Sequence, residues 1–386
     1  MSDARQDAAY ESQYEKIGDV TARSFRQTLQ TVHLWAGLIL ALPMIVIGLS
    51  GSALLVQREI LFLSIPAASA AGEPQTIARM VQAAQTAMAP NLNANWVALP
   101  QSAGKPASVQ FIVSNRPQRS VEVLVDPVSL QVLGTSEIVR RGPVRDVLVN
   151  IHGFLMMPSP FGLALVGWVA VAMSFMGLSG LFLWWPRNGR WKAAFLVRRG
   201  ARGLRLHLDL HHAVGIWGML LFLTLSISGL YLAFPQTVSE AVRMALPTRT
   251  TEEAGPRDLP RIAPANPDQA IAIANSAVPD ARATAVQLPG ARRPMVVQME
   301  PTGFSPATPP VTVIFDSNNA ERISIDDPRR YPVADRVLNF AYALHFSLGM
   351  GGLWTFLVFL SGFLPLVLAV TGTTIWWKKR QAVRSH

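Results

Sequence analysis

The chain alternates between long uncharged stretches and polar segments. Four stretches contain no charged side chain, and they lie between Arg26 and Arg58, between Asp146 and Arg187, between Asp209 and Glu240, and between Arg336 and Lys378. Each exceeds the roughly 20 apolar residues that cross a hydrocarbon core of about 30 Å. We therefore predict an α-helical membrane protein with four transmembrane helices, at 33–56, 161–185, 213–235 and 353–377.

The two long polar segments, 57–145 and 236–335, have the pattern of soluble α+β modules. Helical apolar spacing predicts one helix in each, and alternation of apolar and polar residues predicts the strands that follow. The predicted helices are Thr76–Met88 and Asp268–Ser276, and the predicted strands are Val109–Val113, Val121–Val125, Val132–Leu133, Met295–Met299, Val311–Phe315 and Arg322–Ile325, with turns at Asp126-Pro127 and Asp316–Asn319. Each half of the chain therefore runs from an anchor helix through an outer module and a histidine to a second anchor helix. This order predicts an internal duplication.

The short basic flanks predict the orientation. The connection 186–212 carries a run of cations with no acidic residue before Asp209, namely Arg187, Arg190, Lys192, Arg198, Arg199, Arg202 and Arg205. This connection is expected to be cytoplasmic, together with the N-terminal segment 1–32 and the tail 378–386, so that both modules are periplasmic. The net charge of +10 is then explained by topology and gives no reason to expect nucleic-acid binding. The run Ala67–Ala71 looks like a signal-peptidase site, but the apolar stretch before it is too long for a signal peptide, which favours a retained anchor.

Two histidines open matched membrane segments. His33 and His211 are each followed by glycines at four and 18 residues, namely Gly37 and Gly51 after the first and Gly215 and Gly229 after the second. Eighteen residues make five helical turns, so each histidine shares a helix face with its glycines. Such a face would let a flat ring approach the backbone. The alternative, that the glycines only let helices pack, leaves the histidines unexplained.

Two further histidines precede the other membrane segments, within 146–185 and 336–377. Breakers follow His152 and His345, which predicts a short outer helix in each case before the membrane crossing; the breakers are Pro158, Pro160, Gly349, Gly351 and Gly352. Both segments close on Gly-x-x-x-Trp-Trp, at Gly180 and Gly372. The topology places His33 and His211 at the cytoplasmic end and His152 and His345 at the outer end.

Paired imidazoles inside a membrane bundle predict haem. We expect two b-type haems, with His33 and His211 as axial iron ligands of one and His152 and His345 as axial iron ligands of the other. The chain has no cysteine, which excludes covalent c-type attachment, disulfides and an intrinsic iron–sulfur cluster.

Other residues compete for the inner site. His207 lies one turn before His211, and the equivalent position in the first half of the repeat is Leu29. This difference favours His211 as the iron ligand. We expect His207 to contact a propionate or relay a proton instead. His212 points about 100° away. Arg202 and Arg205 are candidates for pairing with haem propionates, or are topology determinants alone. The tryptophan pairs after Gly180 and Gly372 are typical of an interfacial aromatic belt.

A family resemblance adds to these residues. The strand ending in Val125-Asp126-Pro127, followed by Val132-Leu133-Gly134, resembles the PepSY module, and the arrangement from His33 to Trp377 resembles the PepSY-associated transmembrane family of bacterial inner-membrane proteins. The resemblance implies an oxidoreductase that carries electrons across the inner membrane and reduces ferric hydroxamate siderophores in the periplasm. An unidentified cytoplasmic-side electron donor and membrane lipid would be its other partners.

Two alternatives remain open at this point. One is a haem electron-transfer subunit with another acceptor, such as a quinone or a partner protein. The other is a haem-free membrane-anchored protein that binds and regulates a peptidase or transporter. The sequence does not support a hydrolase activity, because the chain contains neither Gly-x-Ser-x-Gly nor His-Glu-x-x-His. It also lacks a nucleotide-binding glycine motif of its own.

Overall fold

The structure is a computed structural model in which two compact units are recognised. The residues that it describes are 3–64, 66–100, 102–115, 118–136, 143–186, 189, 191–246, 264, 266–290, 293–302, 308–315 and 323–384. We call the first unit, formed by 1–53, 149–235 and 356–386, the helical unit, and the second, formed by 54–148 and 236–355, the sheet unit. The turn predicted at Asp316–Asn319 lies outside the described residues.

The helices that the sequence predicts to cross the membrane are present. Helices long and apolar enough to span it occur at Phe25–Gln57, Phe161–Trp184, Gly203–Ala233 and Gly351–Arg384, which confirms a multi-pass membrane protein. Among the described residues, the helices are α1 (Asp3–Ser64), α2 (Ile77–Gln85), α3 (Pro143–Phe154), α4 (Phe161–Trp184), α5 (Trp191–Ala194), α6 (Gly203–Ala233), α7 (Pro235–Ala245), α8 (Pro267–Ala277), α9 (Val333–Phe346), α10 (Gly351–Ser361) and α11 (Leu364–Arg384).

The last membrane segment differs from the single helix predicted at 353–377, because it divides between α10 and α11. Pro365 has no N–H to donate to the carbonyl of Ser361 four residues earlier, and its ring disfavours a continuous helix there. The amide of Phe363 donates to the carbonyl of Leu360 instead, at 3.1 Å. The hydroxyl of Ser52 on α1 donates to the Phe359 carbonyl at 2.6 Å, so a neighbouring helix satisfies a carbonyl that the break releases.

Glycines lie at the contacts between the membrane helices. A Cβ at each of several glycines would meet the next helix within about van der Waals distance or less, and such glycines are typical of membrane helix interfaces. The contacts join Gly37 on α1 to Met176 on α4, Gly177 on α4 to Leu223 on α6, Gly218 on α6 to Leu364 on α11, and Gly48 on α1 to Gly362 at the break. In the helical unit α1, α4, α6 and α11 therefore follow one another around the bundle.

The two predicted modules share one antiparallel sheet. Its strands, β1 (Ala94–Ala98), β2 (Ala107–Asn115), β3 (Gln118–Val125), β4 (Val132–Ser136), β5 (Ala281–Gln287), β6 (Met295–Pro301), β7 (Val311–Phe315) and β8 (Ile323–Asp326), are ordered β4-β3-β2-β1-β5-β6-β7-β8. The two halves meet where β1 pairs with β5, with Val97 opposite Val286. Sequence patterning predicts neither of these joining strands, because both are rich in alanine and have little β-branched alternation.

Both module helices pack onto the same sheet. Ile77 and Ala84 of α2 share a single buried core with Ala270 and Ala274 of α8 and with alternate residues of the strands. The carboxylate of Asp268 on α8 accepts a hydrogen bond from the Ile77 amide at 2.8 Å. An acidic side chain from one half therefore caps the helix of the other half, where the helix dipole favours negative charge.

The histidines predicted to follow the modules lie on short helices. Helix α3 ends in a turn at Leu155 and Met156, both with positive φ, ahead of Pro158 and Pro160. Helix α9 ends at Ser347, also with positive φ, ahead of Gly349. A turn therefore separates each of these helices from the membrane segment that follows.

Candidate functional site

His33 on α1 packs against the last turns of α4. Its Nδ1 lies 2.8 Å from the Oγ of Ser179, and a Cβ at Gly180 would be 3.5 Å from its Cε1. The imidazole therefore lies against a position with no side chain, and a hydroxyl one residue earlier fixes its orientation. All of these residues belong to the helical unit.

His211 on α6 has the same surroundings in the second half of the chain. Its Nδ1 lies 2.9 Å from the Oγ1 of Thr371 on α11, and a Cβ at Gly372 would be 3.4 Å from its Cε1. Sequence reasoning singled out Gly180 and Gly372 but missed the hydroxyl residues that directly precede them. The signal was present in the repeat, which reads Ser-Gly in one half and Thr-Gly in the other.

Each hydroxyl contacts both an imidazole and a carbonyl of its own helix. The Thr371 hydroxyl can donate to the carbonyl of Val367 at 2.7 Å, and the Ser179 hydroxyl can donate to the carbonyl of Met176 at 3.2 Å. With the hydroxyl hydrogens assigned in this way, each oxygen accepts from the imidazole, Nδ1 carries the proton and the lone pair is on Nε2. Metal-binding histidines adopt this arrangement.

His33 and His211 also lie close enough for their charges to interact. The structure therefore brings together the two histidines predicted to share the inner site, although they are 178 residues apart in the chain. Haem iron needs only two axial side chains, and a pair of imidazoles suits that role. Within the described part of the chain, no group of three or more His, Cys, Asp or Glu residues is placed to hold a bare metal ion.

His152 on α3 lies against α1 in the helical unit. Its Nδ1 lies 2.8 Å from the carbonyl oxygen of Ile47 and 3.4 Å from the Oγ of Ser50. A carbonyl can only accept, so this ring is also protonated at Nδ1 with the lone pair on Nε2. Burial lowers the pKa of His152, although the bond with Ile47 acts in the opposite direction, so the ring is expected to be neutral.

The glycine face of α1 is occupied by protein side chains. A Cβ at Gly51 would lie 2.8 Å from the Cε1 of His152, and one at Gly37 would lie 3.1 Å from the Cε of Met176. The flat ring that approaches the backbone at Gly51 is therefore an imidazole. The packing interpretation explains these two glycines.

His345 lies on α9 in the sheet unit, whereas His152 lies in the helical unit. Its ring contacts that of Phe346 with centroids 5.6 Å apart. The pairing of His152 with His345 as axial ligands stays a prediction.

The competing residues near the inner site have different surroundings. Arg205 pairs through Nε with the buried carboxylate of Asp209 at 2.9 Å, so this contact uses part of the guanidinium proposed for a propionate. The Nδ1 of His207 is buried and has no hydrogen-bond partner among the described residues. His212 lies within electrostatic range of Asp209, Arg205, Lys379 and Arg26. Among the described residues, neither His207 nor His212 contacts a hydroxyl and glycine pair of the kind found beside His33 and His211.

The tryptophan pair after Gly180 does more than mark an interface. The indole N–H of Trp184 donates to the Ala194 carbonyl at 2.9 Å, and its ring packs edge-on against Phe195 with centroids 4.9 Å apart. Trp185 and Trp377 remain more than half exposed, as belt residues are. The first tryptophan therefore ties the basic connection to the end of α4.

Comparison with known proteins places the chain in a family. The model of the PepSY-associated TM region matches residues 30–379. The chain belongs to the PepSY-associated transmembrane family. All four candidate histidines and both hydroxyl partners lie inside the matched range, as does the whole sheet unit.

The chain is also similar to an uncharacterised protein of Pseudomonas aeruginosa, at 38% identity over 88 residues. The similarity covers 22% of this PepSY-associated protein and 21% of the relative. The matched segment of this chain spans about a fifth of the relative's length, and the relative's name assigns no activity.

Proposed function

We propose that the protein is a di-haem transmembrane reductase of the bacterial inner membrane, with both termini cytoplasmic. In this proposal it passes electrons from a cytoplasmic-side donor to ferric hydroxamate siderophores in the periplasm, and iron leaves as Fe(II). Membership of the PepSY-associated family supports a membrane anchor joined to PepSY-like modules. Within that family, the four matched histidines most resemble those of the siderophore reductase FoxB.

The observation that carries the proposal is the duplicated inner arrangement. His33 with Ser179 and His211 with Thr371 present two imidazoles in matching surroundings within one helical bundle. Haem bound between two such imidazoles would supply one-electron transfer. His33 and His211 would hold the haem iron, Ser179 and Thr371 would orient their rings, and the surrounding apolar helices would exclude water.

The remaining residue roles follow from the same logic. His152, held by Ile47, and His345 are assigned as the axial ligands of the second haem. No acid or base is required of the chain, because the reaction adds one electron from the donor to each Fe(III). Hydroxamate oxygens are hard ligands that bind Fe(III) tightly and Fe(II) more weakly, so reduction promotes release.

The test measures iron reduction directly. The purified protein, reduced with a stoichiometric amount of dithionite, would be mixed with a ferric hydroxamate in the presence of a chromophoric Fe(II) chelator. We expect Fe(II) to appear as the reduced haem spectrum disappears, in wild type and in His207→Ala, and to be lost in His345→Ala. Control reactions contain the ferric hydroxamate and residual dithionite without protein.

The outcomes separate the rival functions. Reoxidation by a quinone but not by the ferric hydroxamate would favour the haem electron-transfer subunit and reject the siderophore as substrate. A protein that never binds haem, with haem supplied during expression, would reject both redox functions and favour the regulatory binding protein.

A further inference from the structure

Two short helices, α3 and α9, expose apolar side chains in one shared register. Val337 and Phe340 stand eight and five residues before His345 on α9, and 44% and 50% of their surfaces are exposed. Val144 and Val147 stand eight and five residues before His152 on α3, with 63% and 49% exposed. A single exposed apolar residue needs no explanation, but the same pair repeated in both halves indicates a common contact.

The chain connections place these helices next to membrane segments. Five residue steps join the end of α9 at Phe346 to the segment that starts at Gly351, and seven join the end of α3 at Phe154 to α4 at Phe161. Even fully extended, such connections reach at most about 18 and 25 Å. The C-terminal end of each helix therefore lies within that distance of a membrane segment.

A third helix shares this location. Helix α7 begins at Pro235, directly after the membrane helix α6, and none of its residues is buried. Its Met244 is 84% exposed. The neighbouring Arg243 donates to the Asp335 carboxylate of α9 at 2.8 Å through Nη2 and at 3.2 Å through Nε. This ion pair joins α7 to α9 within the sheet unit.

We propose that α3, α7 and α9 lie in the headgroup layer of the leaflet that they adjoin, with Val144, Val147, Met244, Val337 and Phe340 directed into the lipid. Amphipathic helices bind bilayers in this way, with the apolar face at the boundary of the acyl chains. Phospholipid is the occupant that the observations favour, because short connections join these helices to membrane segments and the exposed apolar pair recurs in both halves. The proposal holds whether or not the protein binds haem.

The natural absence of cysteine makes the test direct. Single-cysteine variants Val144→Cys, Val147→Cys, Val337→Cys and Phe340→Cys would carry a nitroxide spin label in full-length protein reconstituted into phosphatidylethanolamine–phosphatidylglycerol nanodiscs. Power saturation measures collisions with oxygen, which partitions into lipid, and with a nickel chelate, which stays in water. Leu220→Cys, at a 72% exposed position within α6, is the lipid reference, and Arg79→Cys, on an exposed turn of α2, is the water reference.

We expect the four labels to show oxygen-to-nickel accessibility ratios several-fold above the Arg79 label and below the Leu220 label. Ratios equal to that of the Arg79 label would overturn the proposal and leave the faces open to water and a soluble ligand. Low accessibility to both reagents would also overturn it, because protein, from a second copy or another partner, would then cover the faces. Agreement between the two halves guards against one label disturbing its helix.

Discussion

Ser179 and Thr371 play the same structural role in the two halves of the chain. Each directly precedes the glycine of a Gly-x-x-x-Trp-Trp ending, and the hydroxyl of each is hydrogen-bonded to the Nδ1 of a histidine, at 2.8 Å from His33 and 2.9 Å from His211. Each hydroxyl also lies within hydrogen-bond distance of a carbonyl of its own helix. The two imidazoles are therefore oriented by the same kind of contact in both halves.

Removing these hydroxyls should weaken haem binding. In Ser179→Ala and Thr371→Val the imidazole loses the hydroxyl that its Nδ1 contacts, so the ring is free to rotate. We expect haem affinity at the inner site to fall about 10- to 100-fold, as for other partners of metal-bound histidines. Haem transfer to apomyoglobin measures the loss. Thr371→Ser keeps a hydroxyl and introduces the residue found at the equivalent position, Ser179, so its haem affinity should equal that of wild type. Unchanged haem affinity in Ser179→Ala and Thr371→Val would contradict a role of the hydroxyls in haem binding.

The approach of His152 to α1 predicts a selective effect at Gly51. A methyl group there would lie 2.8 Å from the imidazole and would push His152 away from the Ile47 carbonyl. We expect Gly51→Ala to lose one haem and retain the other, measured by haem content per chain. Gly153→Ala is the matched control, because a Cβ next to His152 on α3 meets no atom within 4 Å. Replacing glycine by alanine favours a helix by up to about 1 kcal/mol in both variants, so the control removes that effect from the comparison. Equal haem content in the two variants would contradict the proposed contact.

The hydrogen bonds of Asp126 predict that the sheet unit loses stability at acid pH. Burial would raise its pKa, but the Ser69 hydroxyl and the backbone amides of Val128, Ser129 and Ser69 more than compensate and hold the pKa well below its usual value. A depressed folded-state pKa contributes stability above the unfolded-state pKa of about 3.9 and loses it as the pH falls below that value. The thermal unfolding temperature of wild type should therefore fall between pH 6 and pH 3.

The Asp126→Asn variant tests that origin. An amide keeps one acceptor oxygen but turns a donor toward Ser69, whose amide and hydroxyl both donate to one carboxylate oxygen. We expect a loss of at least about 2 kcal/mol at pH 7, as for hydrogen bonds to charged groups, and a shallower pH dependence. A variant as acid-sensitive as wild type would assign the effect to other groups.

Asp268 should stabilise the joint between the two halves of the sheet unit. It caps α2 from α8 through the Ile77 amide, 191 residues away in the chain. We expect Asp268→Ala to lower unfolding stability by about 1 kcal/mol, as for the loss of a helix cap, and Asp268→Asn to recover most of it, because asparagine caps as well as aspartate. Thermal unfolding followed by circular dichroism measures both variants. An Asp268→Ala variant as stable as wild type would contradict the capping role.

The sequence predicts the parts of the fold that have a strong period. Uncharged segments of 30 or more residues locate the membrane helices, and strands such as Val311–Phe315 follow from alternation. The continuous sheet could not be predicted, because it depends on β1 and β5, where alanines such as Ala98 and Ala285 carry little β signal and only long-range pairing decides the structure. The break at Gly362 likewise depends on Pro365 and on a hydroxyl from another helix.

The sequence indicated the histidines of the candidate site but not the hydroxyl residues that they contact. The repeat shows His33 and His211 because an imidazole in an uncharged segment stands out. Ser179 and Thr371 do not stand out, since hydroxyl residues are common in membrane helices and usually bond only to their own backbone. Their importance appears only when two distant helices pack together.

The most direct test of the redox account is the haem content of the purified protein in detergent. Oxidised and dithionite-reduced visible spectra would be recorded, and haem would be quantified as the pyridine complex, for wild type and for His33→Ala, His211→Ala, His152→Ala and His345→Ala. The account predicts a low-spin b-type spectrum with about two haems per chain, as two bis-histidine sites require. It also predicts the loss of about one haem in each variant, with His207→Ala unaffected. A colourless wild-type protein, expressed with sufficient haem, would contradict it.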